Sequence, residues 1–160
     1  MATLGIVLGC MAGNIDNSTV KSFDLQRFLG SWYEVARYNH WFERGMDGTK
    51  ATYKLRKDGK IDVLNTGIKN GKPKESKGKA KTTDTVGLLR VSFFGPFYSD
   101  YRIMLIDSNY QYALIGSGSD SYLWILARKP QLTAEQKNLI LQEARRRGYD
   151  TDKLIWVKQE

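Results

Sequence analysis

At 160 residues the chain is sized for one domain, long enough to bury a core or to wrap a small cavity. A charged fraction of 26% beside 41% apolar residues excludes global disorder, and no run approaches the ~20 apolar residues of a spanning helix. One cysteine and one histidine exclude an internal disulfide framework and leave a Cys/His metal site unsupported, while 12% aromatics suit a β-rich fold.

Residues 1–22 read as a leader to a folded domain at 23–160. Val7-Leu8-Gly9-Cys10 is similar to the lipobox of bacterial lipoproteins, in which the cysteine takes lipid and becomes the new N-terminus. Upstream, Ala2-Thr3-Leu4-Gly5-Ile6 is only the stub of an apolar segment, with no basic region before it. Two readings stay open, a signal cut short ahead of a lipid anchor at Cys10, or an incidental thiol. Residues 11–22, rich in Asn, Ser and Asp, read as a flexible tether.

Short strands then alternate with turn signals. Gly30 leads into the first, 31–39, with Trp32 at its start, and the loop His40-Trp41-Phe42-Glu43-Arg44-Gly45 follows. Further strands are expected at 49–56, 61–67, 75–82, 87–93, 99–107, 110–116 and 121–128, joined by links such as Lys57-Asp58-Gly59-Lys60 and Ser108-Asn109. Thr133-Ala134-Glu135-Gln136 is a capping box that opens a helix, Arg145-Arg146-Arg147 suit its last turn, and Gly148 stops it. A final short strand near 153–157 packs outside.

The net charge of +8 is local. Residues 50–81 hold eleven Lys and Arg against three acids, and the rest of the chain balances fourteen of each sign. Lys77, Lys79 and Lys81 share one strand face. This reads either as a solvated outer face that discourages edge pairing or as an attraction for an anionic surface or ligand.

Eight consecutive antiparallel strands have edges to satisfy, and closing on themselves removes them. Strand eight then lies beside strand one, and Arg128 at its end meets Trp32 in a cation–π contact. Loops after the odd-numbered strands gather at one end, where His40, Trp41, Phe42, Phe94 and Phe97 are expected to form an apolar rim.

Gly30-x-Trp32, Asp107-x-x-Tyr110, Arg128 and the helix that follows resemble the three signature blocks of the lipocalins. Trp32-Tyr33-Glu34-Val35-Ala36-Arg37, Phe42-Glu43-Arg44-Gly45, Ser92-Phe93-Phe94-Gly95-Pro96-Phe97-Tyr98 and Tyr122-Leu123-Trp124-Ile125-Leu126 are similar to the bacterial branch that includes apolipoprotein D-like proteins. The resemblance spans about 23–157. It implies an all-β protein, an eight-stranded antiparallel up-and-down barrel with a C-terminal α-helix outside, that binds a hydrophobic ligand. Members of that branch are often outer-membrane lipoproteins facing the periplasm that bind fatty acids or lysophospholipids.

An eight-stranded barrel is wide enough for one small ligand, and alternation assigns its inner face. From Trp32, the inward residues are Glu34, Ala36 and Tyr38, with Arg37 outside. Turning charge outward elsewhere places Ala51, Tyr53 and Leu55, then Ile61, Val63 and Asn65, then Leu89, Val91 and Phe93 inside. Strands six and seven are ambiguous, with Tyr101, Ile103, Leu105 and Tyr112 preferred, and strand eight contributes Trp124 and Leu126. Glu34 is costly in an apolar barrel and is expected to meet Arg90, Arg102, a tyrosine hydroxyl or water, or to contact a ligand head.

The expected activity is storage or transport of a small hydrophobic ligand at the bacterial envelope, with no cofactor, no metal and no nucleic acid, as monomer or homodimer. An enzyme acting on a lipophilic substrate in the same cavity is the alternative. With one histidine, and Cys10 outside the barrel, no nucleophile–base arrangement is strongly supported. The basic strands lack the interleaved aromatics of a nucleic-acid groove.

Overall fold

The computed structural model describes residues 14–159. Its strands are β1 (Gly30–Tyr38), β2 (Met46–Leu55), β3 (Ile61–Lys69), β4 (Lys72–Thr82), β5 (Leu88–Phe94), β6 (Phe97–Ile106), β7 (Tyr112–Gly116), β8 (Leu123–Ala127) and β9 (Leu154–Trp156). β1 pairs with both β2 and β8, so the first eight strands close into an antiparallel up-and-down barrel. Beyond Tyr33, β1 no longer pairs with β2, and β9 takes that side, with Ala36 opposite Trp156 and Tyr38 opposite Leu154. Gln159 bridges the gap by donating from Nε2 to the carbonyls of Glu34 (2.7 Å) and Thr49 (3.0 Å).

A four-residue helix, α1 (Leu25–Phe28), has no counterpart in the sequence reading. Asp24 caps it, and it pushes Phe28 into the base of the barrel. The Phe28 ring lies 5.2 Å from Trp32 and 5.1 Å from Tyr53 (centroids), so the base is packed solid. Arg128 covers this plug with its guanidinium 3.8 Å from the Trp32 ring centre, as expected. It also donates to the carbonyls of Arg27, Phe28, Leu29, Ser31 and Tyr110, which gives the helix's unpaired carbonyls their partners. Gly30 sits at φ 98°, and a Cβ there would lie 3.4 Å from that guanidinium.

The longer helix, α2 (Ala134–Arg146), starts at the expected capping box: Gln136 N donates to Thr133 Oγ1 (3.1 Å) and Thr133 N to Gln136 Oε1 (3.0 Å). It lays Ile140 and Ala144 on the outer wall with Leu114, Ile125 and Tyr149. Arg147 does more than complement the helix dipole. It is buried and donates to the carbonyls of Asp16, Ser18 and Met104. With Val20 N bonded to Ile103 O (2.9 Å), residues 14–22 are tied along the barrel rather than acting as a loose tether. Cys10 lies outside the described residues.

Two bulges rewrite the inner face. The β1–β8 register shifts between Glu34 and Ala36, and the β6–β7 register between Ile103 and Leu105. Each inserted residue inverts the alternation beyond it. Ala36 and Tyr38 therefore face outward, where Tyr38 packs on Tyr149 (6.3 Å) and donates to Asp150 O (2.9 Å). Arg37, expected outside, points inward and is only 2% exposed. Leu105 and Tyr112 also belong to the outer cluster, Tyr112 opposite Ala127. Leu55, at the base end of β2, is exposed.

Candidate functional site

Inside the barrel, Tyr53, Val63, Ile103, Val91, Phe93, Tyr101 and Trp124 face inward as expected, and Asn65 shares their side through its pairing with Ala51. Val91, Phe93, Asn65, Tyr101 and Trp124 are only half-buried. The less tightly buried inward side chains thus stand beside and above the Phe28–Trp32–Tyr53 plug. Two clefts also open elsewhere. One of about 450 Å³ lies on the outer wall by Tyr38, Asn39, Asp120, Ser121 and Lys153. Another of about 220 Å³ sits at the β4–β5 seam, where Phe93 meets Lys77, Gly78 and Lys79.

The upper interior holds a polar cluster in otherwise apolar walls. The bulge turns Arg37 onto Glu34 (Nη1 to Oε1, 3.4 Å), and its Nη2 donates to the carbonyls of Glu43 (2.8 Å) and Met46 (3.0 Å). Arg37, not Arg90 or Arg102, meets the Glu34 carboxyl; those two pair with Asp100 on the wall. From the loop after β1, Glu43 reaches in to accept from Trp124 Nε1 (3.2 Å), with His40 Nε2 2.9 Å from its Oε1. His40 is therefore no rim residue. It is 6% exposed, beneath Phe42, Tyr122 and Trp124. Tyr53 and Tyr101 join their hydroxyls at 2.8 Å below the cluster.

The two carboxyls differ because their surroundings differ. Burial, then the neighbouring Glu43 charge, raises the Glu34 carboxyl well above its ordinary value despite Arg37. Burial opposes charge at Glu43 too, but His40, the hydrogen bond from Glu34 and the Trp124 N–H together hold it below the ordinary range. The surroundings thus favour the proton on Glu34 and the charge on Glu43, beside Arg37. Desolvation likewise raises the Tyr53 and Tyr101 hydroxyls, which stay neutral donors.

Several polar atoms of the cluster have no hydrogen-bond partner within the protein: Arg37 Nε, Thr49 Oγ1 and His40 Nδ1, while His40 Nε2 meets Glu43 off the line of a straight hydrogen bond. Unpaired buried polar atoms are costly, and these positions have capacity left for a further polar group. Sequence reasoning missed Arg37, Glu43 and Thr49. The only signal was the spacing of ionisable residues at 34, 37, 40 and 43, which alternation scatters over two faces and the bulge reunites. Above the cluster, Trp41, Phe94 and Phe97 are 66%, 65% and 77% exposed, forming with Phe42 the expected rim.

The Lipocalin-like domain family matches residues 23–159 of the chain. The chain belongs to the lipocalins. The "Outer membrane lipoprotein Blc" of Citrobacter freundii is 45% identical to this lipocalin over 146 residues, covering 89% of it and 82% of the relative. "Apolipoprotein D" of Mus musculus is 29% identical over 150 residues, covering 87% and 78%. The lipocalin shares its fold with insecticyanin of Manduca sexta at a TM-score of 0.74 and 22% identity, over 91% of this chain and 85% of that one. The bacterial, apolipoprotein D-like branch read from the sequence is the one these matches show. Lipocalins as a family bind small hydrophobic molecules, and the Blc relatives carry names that place them at the outer membrane.

Proposed function

We propose that this lipocalin carries or stores a single-chain amphiphile, a fatty acid or lysophospholipid, at the bacterial envelope on the periplasmic side, without turning it over. The observation that carries the reading is the cluster of buried donors under an aromatic mouth. An acyl chain gains apolar contact from Val91, Phe93 and Trp124, while an anionic head meets Arg37, Thr49 and His40, whose free positions it would satisfy. Burial, by favouring the protonated Glu34 carboxyl, lessens the repulsion a second carboxylate would add. A pocket that is apolar with a few convergent polar groups suits binding, and nothing in it supplies an activated nucleophile.

Titration with oleate or a lysophospholipid should give saturable quenching of tryptophan fluorescence, most of it lost in Trp124→Phe. Native mass spectrometry should show one lipid per chain. No saturable response to either lipid, or quenching unchanged in Trp124→Phe, would defeat the proposal. Arg37→Met, checked for folding, should weaken the fatty acid more than a neutral monoacylglycerol of equal chain length.

A further inference from the structure

The barrel wall is not laced together along every seam. β4 pairs with β3 over almost its whole length, from Lys72 opposite Lys69 to Ala80 opposite Ile61. On its other side the ladder with β5 covers only Thr82, Lys81, Ala80 and Lys79, the last of them opposite Ser92. Residues 72–78 therefore turn an edge without a strand partner toward the β5–β6 tip. The register there shifts between Val91 and Phe94, which bends the tip off the line of the ladder. The comparable gap above the β1–β2 ladder is filled, because β9 pairs with β1 and Gln159 bridges Glu34 and Thr49.

One side chain stands at the foot of the β4–β5 gap. A Cβ on Gly78 would lie 2.7 Å from atoms of the Phe93 ring and 2.6 Å from Ser92 O, so the ring lies against β4 only because that residue is glycine. Phe93 packs on the interior cluster and also lines the cleft of about 220 Å³ beside Lys77, Gly78 and Lys79. The same ring thus borders the interior and the cleft. Arg56 also lines that cleft, but Asp58 (3.1 Å) and Asp62 (3.8 Å) take its charge. Along the free edge itself Lys72, Lys74 and Lys77 are exposed, against Glu75 alone.

We propose that the β4–β5 seam is a side entrance to the barrel, through which a single-chain anionic amphiphile passes side-on when Phe93 swings off Gly78, drawn in by the lysines of the free edge. The proposal rests on the reading that the interior holds such an amphiphile. An edge without cross-strand hydrogen bonds loses none as the gap widens, so opening here disturbs little beyond the contacts of one ring. The open stretch from 72 to 78 measures roughly 20 Å at ~3.3 Å per residue, against ~15 Å for the hydrocarbon of one bilayer leaflet, so an extended acyl chain fits along it. A portal sets the height of a barrier and not the energies on either side of it. Closing it must therefore slow entry and exit alike and leave affinity as it was.

The test follows oleate by stopped-flow tryptophan fluorescence in the chain carrying Cys10→Ser, so that added cysteines are its only thiols. Lys77→Cys/Phe94→Cys places one thiol on each side of the gap, and a short bis-maleimide joins them, with mass spectrometry confirming the bridge. Bridging should slow association and dissociation together, each about tenfold or more against the unbridged form, and keep the equilibrium affinity within about twofold. Lys74→Gln/Lys77→Gln, which needs no bridge, should slow association of oleate severalfold and leave that of a neutral monoacylglycerol unchanged. Rates unmoved by the bridge, an affinity that falls while association holds, or a lysine variant that treats both lipids alike would overturn the proposal and leave the interior reading standing. So would a bridge across the mouth, from Trp41→Cys to Phe94→Cys, that slows oleate as much as the seam bridge does. A parent that binds no oleate would instead remove the interior reading, and the side entrance with it. Circular dichroism matching the parent confirms that each variant is folded.

Discussion

Glu34→Gln should make the protein more stable at neutral pH, although it removes a residue from a buried ion-paired cluster. The reasoning rests on the sign of the shift. The Glu34 carboxyl is raised in the folded state, so its contribution is whole below its ordinary value of 4.5 and is lost as pH rises from there toward the folded value. Glu43, shifted the other way, contributes above 4.5 and loses its contribution as pH falls below it. The pair is therefore most comfortable around pH 4.5, with one proton between two carboxyls.

A glutamine keeps the neutral, hydrogen-bonding form that burial favours for Glu34 and never needs to be desolvated as an anion. The variant should match the parent near pH 4.5 and gain about 1.4 kcal/mol on it per pH unit above that, until the folded value is reached. Urea unfolding followed by fluorescence at several pH values between about 4 and 8 measures it. Parallel stability–pH curves for parent and variant, or a variant several kcal/mol weaker throughout, would show that Glu34 is ionised in the fold.

Arg128→Met should cost about 3 kcal/mol in urea unfolding, combining a cation–π contact with carbonyls of α1 and its neighbours left without donors. Tyr38→Phe removes only an outer hydrogen bond to Asp150, so it should lose about 1 kcal/mol and leave lipid affinity unchanged, which checks the bulge in β1. Arg147→Met should release residues 14–20, read as faster amide exchange there and not in β1 or β8, because three carbonyls lose their shared donor.

The barrel itself was legible because its signals are local. Strand positions, turn residues and the Thr133–Gln136 box each concern a few consecutive residues, and the structure places them as expected, with strand ends moved by up to three residues. Lys77 and Lys81 stand exposed about a buried Ala80, and Lys81 lies 4.2 Å over the Tyr98 ring, so the basic stripe is an outer face as alternation implied. Trp32 and Arg128 could be joined across 96 positions because strand count alone puts them side by side. The interior polar cluster was not legible. Counting by twos from Trp32 is right through Val35 and wrong from Ala36 on, since one bulge after Glu34 exchanges the faces of Ala36, Arg37 and Tyr38.

By itself the sequence determined the order of the strands and the long helix, the closure of the sheet and the identity of the staple, since these follow from periodicity and turn chemistry along the chain. Only the tertiary structure decided that an arginine, a histidine and two glutamates meet inside the barrel, that the base is plugged by Phe28, and that residues 14–22 are held to the wall. The physical reason is that a bulge forms where distant strands must fit one another, and the cost of burying those charges is met by partners supplied from other strands and loops.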